Sequence, residues 1–181
     1  FFKYFENELR ERSGYKQYFN PDKDPFYSVY NVGDYTFAPY KCVWREQSSF
    51  LTTVVIGGHE NRILIPDHKL TLCPFDEEKE AHFVCACLAS SPSQFIVKSY
   101  SIETAIATHV LNYVRIPKFD RNNTLHLHLS ALSQQAHSDV ALGKKDNISN
   151  IEMEIDMAVA QLWGLSQNEL HDIQENLGEL V

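Results

Sequence analysis

The sequence predicts an α+β fold, with a central β-rich module of hairpins or a short sheet, packed helices and a C-terminal helical hairpin. Three observations carry this. Short apolar, β-branched or aromatic runs crowd into residues 40–73, separated by glycine, proline and polar clusters. Residues 124–141 carry an apolar stripe at helical spacing. The last 36 residues hold two helix-start signatures, Ser149 with Glu152 and Ser166 with Glu169.

Taken in order, Phe2, Phe5 and Leu9 at helical spacing predict a helix over 2–12, stopped by Ser13-Gly14. Tyr15 to Tyr30 is aromatic but broken by Pro21 and Pro25, and reads as a loop. Gly33-Asp34 supplies a turn, and Tyr35, Phe37 and Pro39 mark an extended segment. Alternation then places Lys41, Val43 and Arg45 on one face of a strand and Cys42 and Trp44 on the other. That pattern predicts a buried Trp44 with Lys41 and Arg45 presented outward. Phe50–Ile56 is the next strand, ending at Gly57-Gly58. His59 to Arg62 forms a polar tip and Ile63–Ile65 the return strand of a hairpin. Pro66-Asp67-His68 breaks the chain before a strand over 69–73.

Acids at Asp76 to Glu78 open a helix, complementing its dipole. Ala81, Val84, Cys85 and Leu88 form its apolar face, and Ser90-Ser91-Pro92 ends it. Ser93–Val97 reads as a short helix, as do residues 101–112, and Val114–Ile116 is extended. Leu125, Leu129, Leu132 and Ala136 line the helix over 124–141. In the tail, Ile151, Ile155, Ala158, Val159 and Leu162 line one helix that Gly164 closes, and Leu170, Ile173 and Leu177 line the second.

Charge divides the chain at residue 145. Net charge is −8, yet residues 1–145 carry all 16 Lys and Arg against 16 acids, and residues 146–181 carry eight acids alone. A neutral body permits a local basic face; the excess sits in the tail. No apolar run approaches a membrane span. The chain opens Phe-Phe-Lys-Tyr with no methionine or leader pattern, and reads as a piece of a longer protein. Cys42, Cys73, Cys85 and Cys87 lie among apolar neighbours and read as free thiols of a reducing cytoplasm. His126 and His128 have no nearby ligand cluster.

A self-sufficient active site is not legible. Asp67 with Glu77 and Lys79 fits the loose PD…ExK spacing of a magnesium-dependent nuclease, but the second pair opens a predicted helix where that site needs a strand. No hydrolase triad order, phosphate loop, dinucleotide fingerprint or Asn/Asp-Pro-Pro-Tyr/Phe tetrapeptide appears.

Several segments in order resemble the C-terminal target recognition region of bacterial N6-adenine DNA methyltransferases, including fused type II restriction–modification enzymes. They are Pro25-Phe26-Tyr27, the run Val32 to Arg45, Pro66-Asp67-His68-Lys69, Ala81 to Ser91, Ile116-Pro117-Lys118-Phe119, Leu129 to His137 and Gly164-Leu165-Ser166. The resemblance implies a target-recognition-like domain over 1–145, with the acidic hairpin of 146–181 packed on it. It implies partners in double-stranded DNA and in a methyltransferase domain upstream in the same bacterial, cytoplasmic chain. That upstream domain would bind S-adenosylmethionine and flip the adenine. No cofactor, metal or catalytic residue is expected in this segment. The candidate DNA contacts are Lys41, Arg45, His59, Asn61, Arg62, His68, Lys69, Lys98 and Tyr100, since cations hold phosphates or guanine edges and amides pair with adenine. Lys118, among apolar neighbours, reads as structural. The acidic tail is expected to face away from DNA. The alternatives are the nuclease and a protein-interaction module.

Overall fold

The computed structural model describes residues 1–58, 62–100, 106 and 108–179. The chain forms two compact units, Phe1–Thr36 and Phe37–Val181. The α+β expectation holds: seven α-helices accompany one three-stranded antiparallel sheet among the described residues.

In the first unit the expected 2–12 helix is broken differently. A 3-10 turn at Phe2–Phe5 leads into α1 (Glu6–Glu11), and α2 (Ser13–Tyr18) follows at once. The break is Arg12, at ψ 135°, and its guanidinium donates to the carbonyls of Leu9, Phe26 and Ser28. Ser13-Gly14 thus begins a helix instead of ending one. Tyr15 is buried and donates its hydroxyl to the Asp24 carbonyl. Asp34–Phe37, expected as extended, is a 3-10 turn, with Thr36 N–H donating to the Gly33 carbonyl.

The second unit is built on β1 (Tyr40–Arg45), which lies between β2 (Thr53–Gly57) and β3 (Leu70–Phe75). In register, Lys41 faces Ile56 and Pro74, and Cys42 faces Val55 and Cys73. The Ile63–Ile65 return strand does not form. β2 pairs with β1 instead, and Ile63, Leu64 and Ile65 run exposed and irregular. Gly57 is required where β2 ends: its φ is +137°, and a Cβ there would lie 2.1 Å from the Pro39 carbonyl oxygen.

Against the sheet packs α3 (Glu78–Ala89), buried over most of its length. Cys85 and Leu88 join Cys42, Trp44, Leu51 and Val97 in a sheet-side core. Phe83, Ala86 and Cys87 join Leu129, Leu132, Ile151, Ile155 and Val159 in a helical core. One helix feeding two cores has no polar face to spare. α4 (Ser91–Tyr100) is longer than the expected 93–97, with Pro92 in its first turn, where a missing N–H costs nothing. A 3-10 segment covers Thr108–Tyr113; the rest of the helix expected over 101–112 lies outside the described residues, apart from Ile106.

α5 (Thr124–Ala141) has the expected bounds, capped by Asn123 Oδ1, which accepts from the Leu125 and His126 N–H groups. α6 (Ile148–Trp163) packs on α5, and α7 (Gln167–Glu179) on α4. Ser166 and Glu169 form the expected reciprocal cap. Ser149 and Glu152 do not, because α6 starts earlier and places Ser149 inside the helix. Gly164 ends α6 at φ 71°, with Leu165 N–H returning to the Ala160 carbonyl. Asp156, buried on α6, accepts from Ser91 N–H at 2.7 Å, Ser91 Oγ at 2.5 Å and Gln174 Nε2 at 2.8 Å, tying α6, α4 and α7 together.

Candidate nucleic-acid interface

Seven of the nine candidate contacts lie among the described residues, and they fall into four groups. His59 and Asn61 lie outside the described residues. Lys41, expected to point outward, is 1% exposed. Strands flank it on both sides, its Nζ donates to the Ala38 carbonyl at 2.6 Å, and burial lowers its pKa. It is a structural cation and leaves the contact surface.

Arg45 and Lys69 do come together. β2 stops at Thr53, opposite Trp44, so among the described residues Arg45 has a strand neighbour on the β3 side alone, at Leu70. The next step of that ladder, Glu46 N–H to the Lys69 carbonyl at 3.3 Å, sets Lys69 beside the end of β1. Arg45, Glu46, Gln47, Lys69 and Leu70 line a half-open depression of about 190 Å³. Both cations are exposed, and neither makes an ion pair among the described residues. Ile106 N–H donates to the Glu46 carbonyl, fixing the loop from the other side. Next to Lys69, exposed His68 approaches Asp67 with Nδ1 to Oδ1 at 3.1 Å. The Lys69 N–H donated to Asp67 lowers that carboxyl's pKa, with His68 adding to the effect.

Lys98 and Tyr100 end α4. Lys98 Nζ sits 5.2 Å from the Phe50 ring centroid, and Tyr100 stacks on Tyr113 at 4.0 Å with planes 5° apart. Gln94 clasps the backbone N–H and C=O of Leu51. The loop 46–51 therefore joins the Arg45 depression to the end of α4. Arg62 is exposed and is not among the residues that line the depression. Glu46, Gln47, Phe50 and Tyr113 are the members sequence reading missed. The one available signal was a planar amide, Gln47, two residues past a cationic strand end.

No family model matches the chain, and no curated protein matches it.

The geometry elsewhere speaks on catalysis. Asp67 and Glu77 flank β3 at opposite ends, and the strand between them alone spans about 17 Å at about 3.3 Å per residue. Glu77 is held instead by the Arg121 guanidinium. Among the described residues no three His, Cys, Asp or Glu side chains are placed to hold a metal ion. The four cysteines are free. Cys42 and Cys85 share a hydrogen bond that holds Cys42 well above the usual thiol range and Cys85 below it, but both are buried beyond a substrate's reach. Burial pushes Cys87 up to about 12.

Two histidines are structural. His137 Nε2 accepts the Val55 N–H at 2.9 Å while its Nδ1 lies 2.7 Å from the Ser133 carbonyl. The ring is thus neutral with its proton on Nδ1. His82 packs edge-on against it, bonds Ser133 Oγ at 2.9 Å, and is pushed down to about 4 by burial. No helix among the described residues is long and apolar enough to cross a membrane.

Proposed function

We propose that this chain is the DNA-sequence recognition module of a larger S-adenosylmethionine-dependent N6-adenine DNA methyltransferase or restriction–modification enzyme. The observation that carries the reading is the convergence of Arg45 and Lys69, 24 residues apart in sequence, on one exposed depression. His68 lies beside it, and Lys98 with Tyr100 stands one loop away. Four of the family-like segments support it by packing into adjoining cores: β1, α3, Ile116 with Phe119, and α5.

The module carries no chemistry of its own in this reading, and S-adenosylmethionine belongs to the methyltransferase domain. α6 lies behind α3 and α5 relative to the sheet, which suits an acidic helix kept from phosphate. α7 departs from that arrangement at one point, where Leu177 reaches the 48–51 loop. In the first unit, Phe1, Phe2, Tyr4, Phe5, Tyr27 and Tyr30 are exposed, while Arg10 and Lys16 pair with Glu6 and Glu11. That surface favours an apolar protein partner over nucleic acid, and we assign it to the methyltransferase domain.

Fluorescence anisotropy with duplex DNA and a methyl-transfer assay test the reading together. The isolated chain should bind duplex with steep salt dependence and transfer no methyl group. The full gene product should methylate one sequence, and deletion of residues 37–121 should abolish that selectivity. Unchanged selectivity after the deletion, or magnesium-dependent cleavage by the isolated chain, would overturn it.

A further inference from the structure

We infer that the depression at the end of β1 holds a backbone phosphate of the duplex, with Arg45 and Lys69 as phosphate contacts and not base readers; this rests on the DNA-recognition reading above. Shape decides between the two roles. A base reader must project several ångströms into the major groove, so it sits on a protruding helix, strand or loop tip. Arg45 and Lys69 instead line a concavity at a sheet end. A phosphate projects outward from the duplex and is the part that enters a concavity.

The approach of the two cations agrees. They come from the end of β1 and from the turn that enters β3, joined through the Glu46 N–H bond to the Lys69 carbonyl. A guanine edge is matched in its own plane by one guanidinium fork, whereas two cations arriving from different segments suit an anion with several acceptor oxygens. Gln47 adds an amide donor to the same lining.

Glu46 sets which phosphate. With Arg45, Lys69 and Glu46 in the lining, formal charge there is +1. That neutralises the single negative charge of one phosphodiester and leaves the second charge of a free or terminal phosphate without a compensating cation in the lining.

The test is the salt dependence of duplex binding by the whole chain, using several 20-base-pair duplexes of unrelated sequence. Arg45→Gln and Lys69→Gln should each flatten the slope of log K against log salt by about 0.9, and weaken all duplexes by the same factor. Glu46→Gln should tighten binding to all of them. Inorganic phosphate should compete poorly. Slopes unchanged in both variants, or a loss confined to one duplex sequence, would make these residues something other than phosphate contacts while leaving DNA recognition standing. Strong competition by inorganic phosphate would make this a phosphate-monoester site and overturn the inference. Failure of the unaltered chain to bind any duplex at low salt would remove both readings. The side chains are exposed, and matching circular dichroism spectra establish that the variants fold.

Discussion

The two ends of β1 carry a cation each, four residues apart and on the same face by alternation, yet they have opposite fates. At the Lys41 end the strand is flanked on both sides, Gly57 turns away under the Pro39 carbonyl, and the ammonium is sealed in. At the Arg45 end one neighbour has already stopped and the guanidinium faces solvent. Alternation sets which face a side chain takes. The length of the neighbouring strands decides whether that face is wet. The closed end should therefore answer to stability measurements and the open end to binding measurements.

The largest effect belongs to the closed end. Gly57→Val meets both the left-handed backbone and the Pro39 oxygen, and should destabilise by roughly 3 kcal/mol or more in urea denaturation. Less than 1 kcal/mol would mean that the end is not sealed.

Next comes the buried histidine behind the sheet. His82 has a folded pKa of about 4 against an ordinary 6.5, so the unfolded chain takes up the proton first on acidification. Its contribution is intact above 6.5 and is lost as pH falls towards 4, by roughly 3 kcal/mol at most. Denaturation midpoints should fall across that window, and less steeply in His82→Gln.

Lys41→Met is smaller. Replacing a buried ammonium by an apolar chain of similar length should be neutral, or stabilising by about 1 kcal/mol, at pH 7. Because Lys41's pKa is lowered in the fold, the native chain releases that proton first as pH rises towards 10.5 and gains stability there. The advantage of Lys41→Met should accordingly shrink as pH rises towards 10.5. An advantage that grows would reverse the assignment of Lys41 as a buried cation.

Arg45→Ala closes the series, with stability unchanged within about 0.5 kcal/mol. A larger loss in thermal unfolding would place Arg45 with Lys41.

Legibility followed how local the deciding interaction is. The bounds of α5, the cap at Ser166 and the stop at Gly164 are set by residues within a turn of one another, and they were readable. Ser149 and Glu152 carry the same signature as Ser166 and Glu169, but the 3-10 turn at Lys145–Asn147 starts the helix first. The strand at Ile63–Ile65 failed because pairing is not local: β2 found its partner upstream in β1, leaving that apolar run without one among the described residues. The cations of the site were visible as residue types, whereas the depression was not. It exists because strand register sets residue 69 beside residue 46.

The bond between Val55 N–H and His137 gives the β2 edge a terminus. In the register of β1, Val55 opposes Cys42, whose own backbone groups turn to β3, so the Val55 N–H points outward from the sheet. An outward N–H on an apolar strand is an address at which a strand from another chain can add. Here a side chain from α5 already occupies it. The sheet stays at three strands on that flank because a helix, formed from a distant part of the chain, took the place a fourth would need.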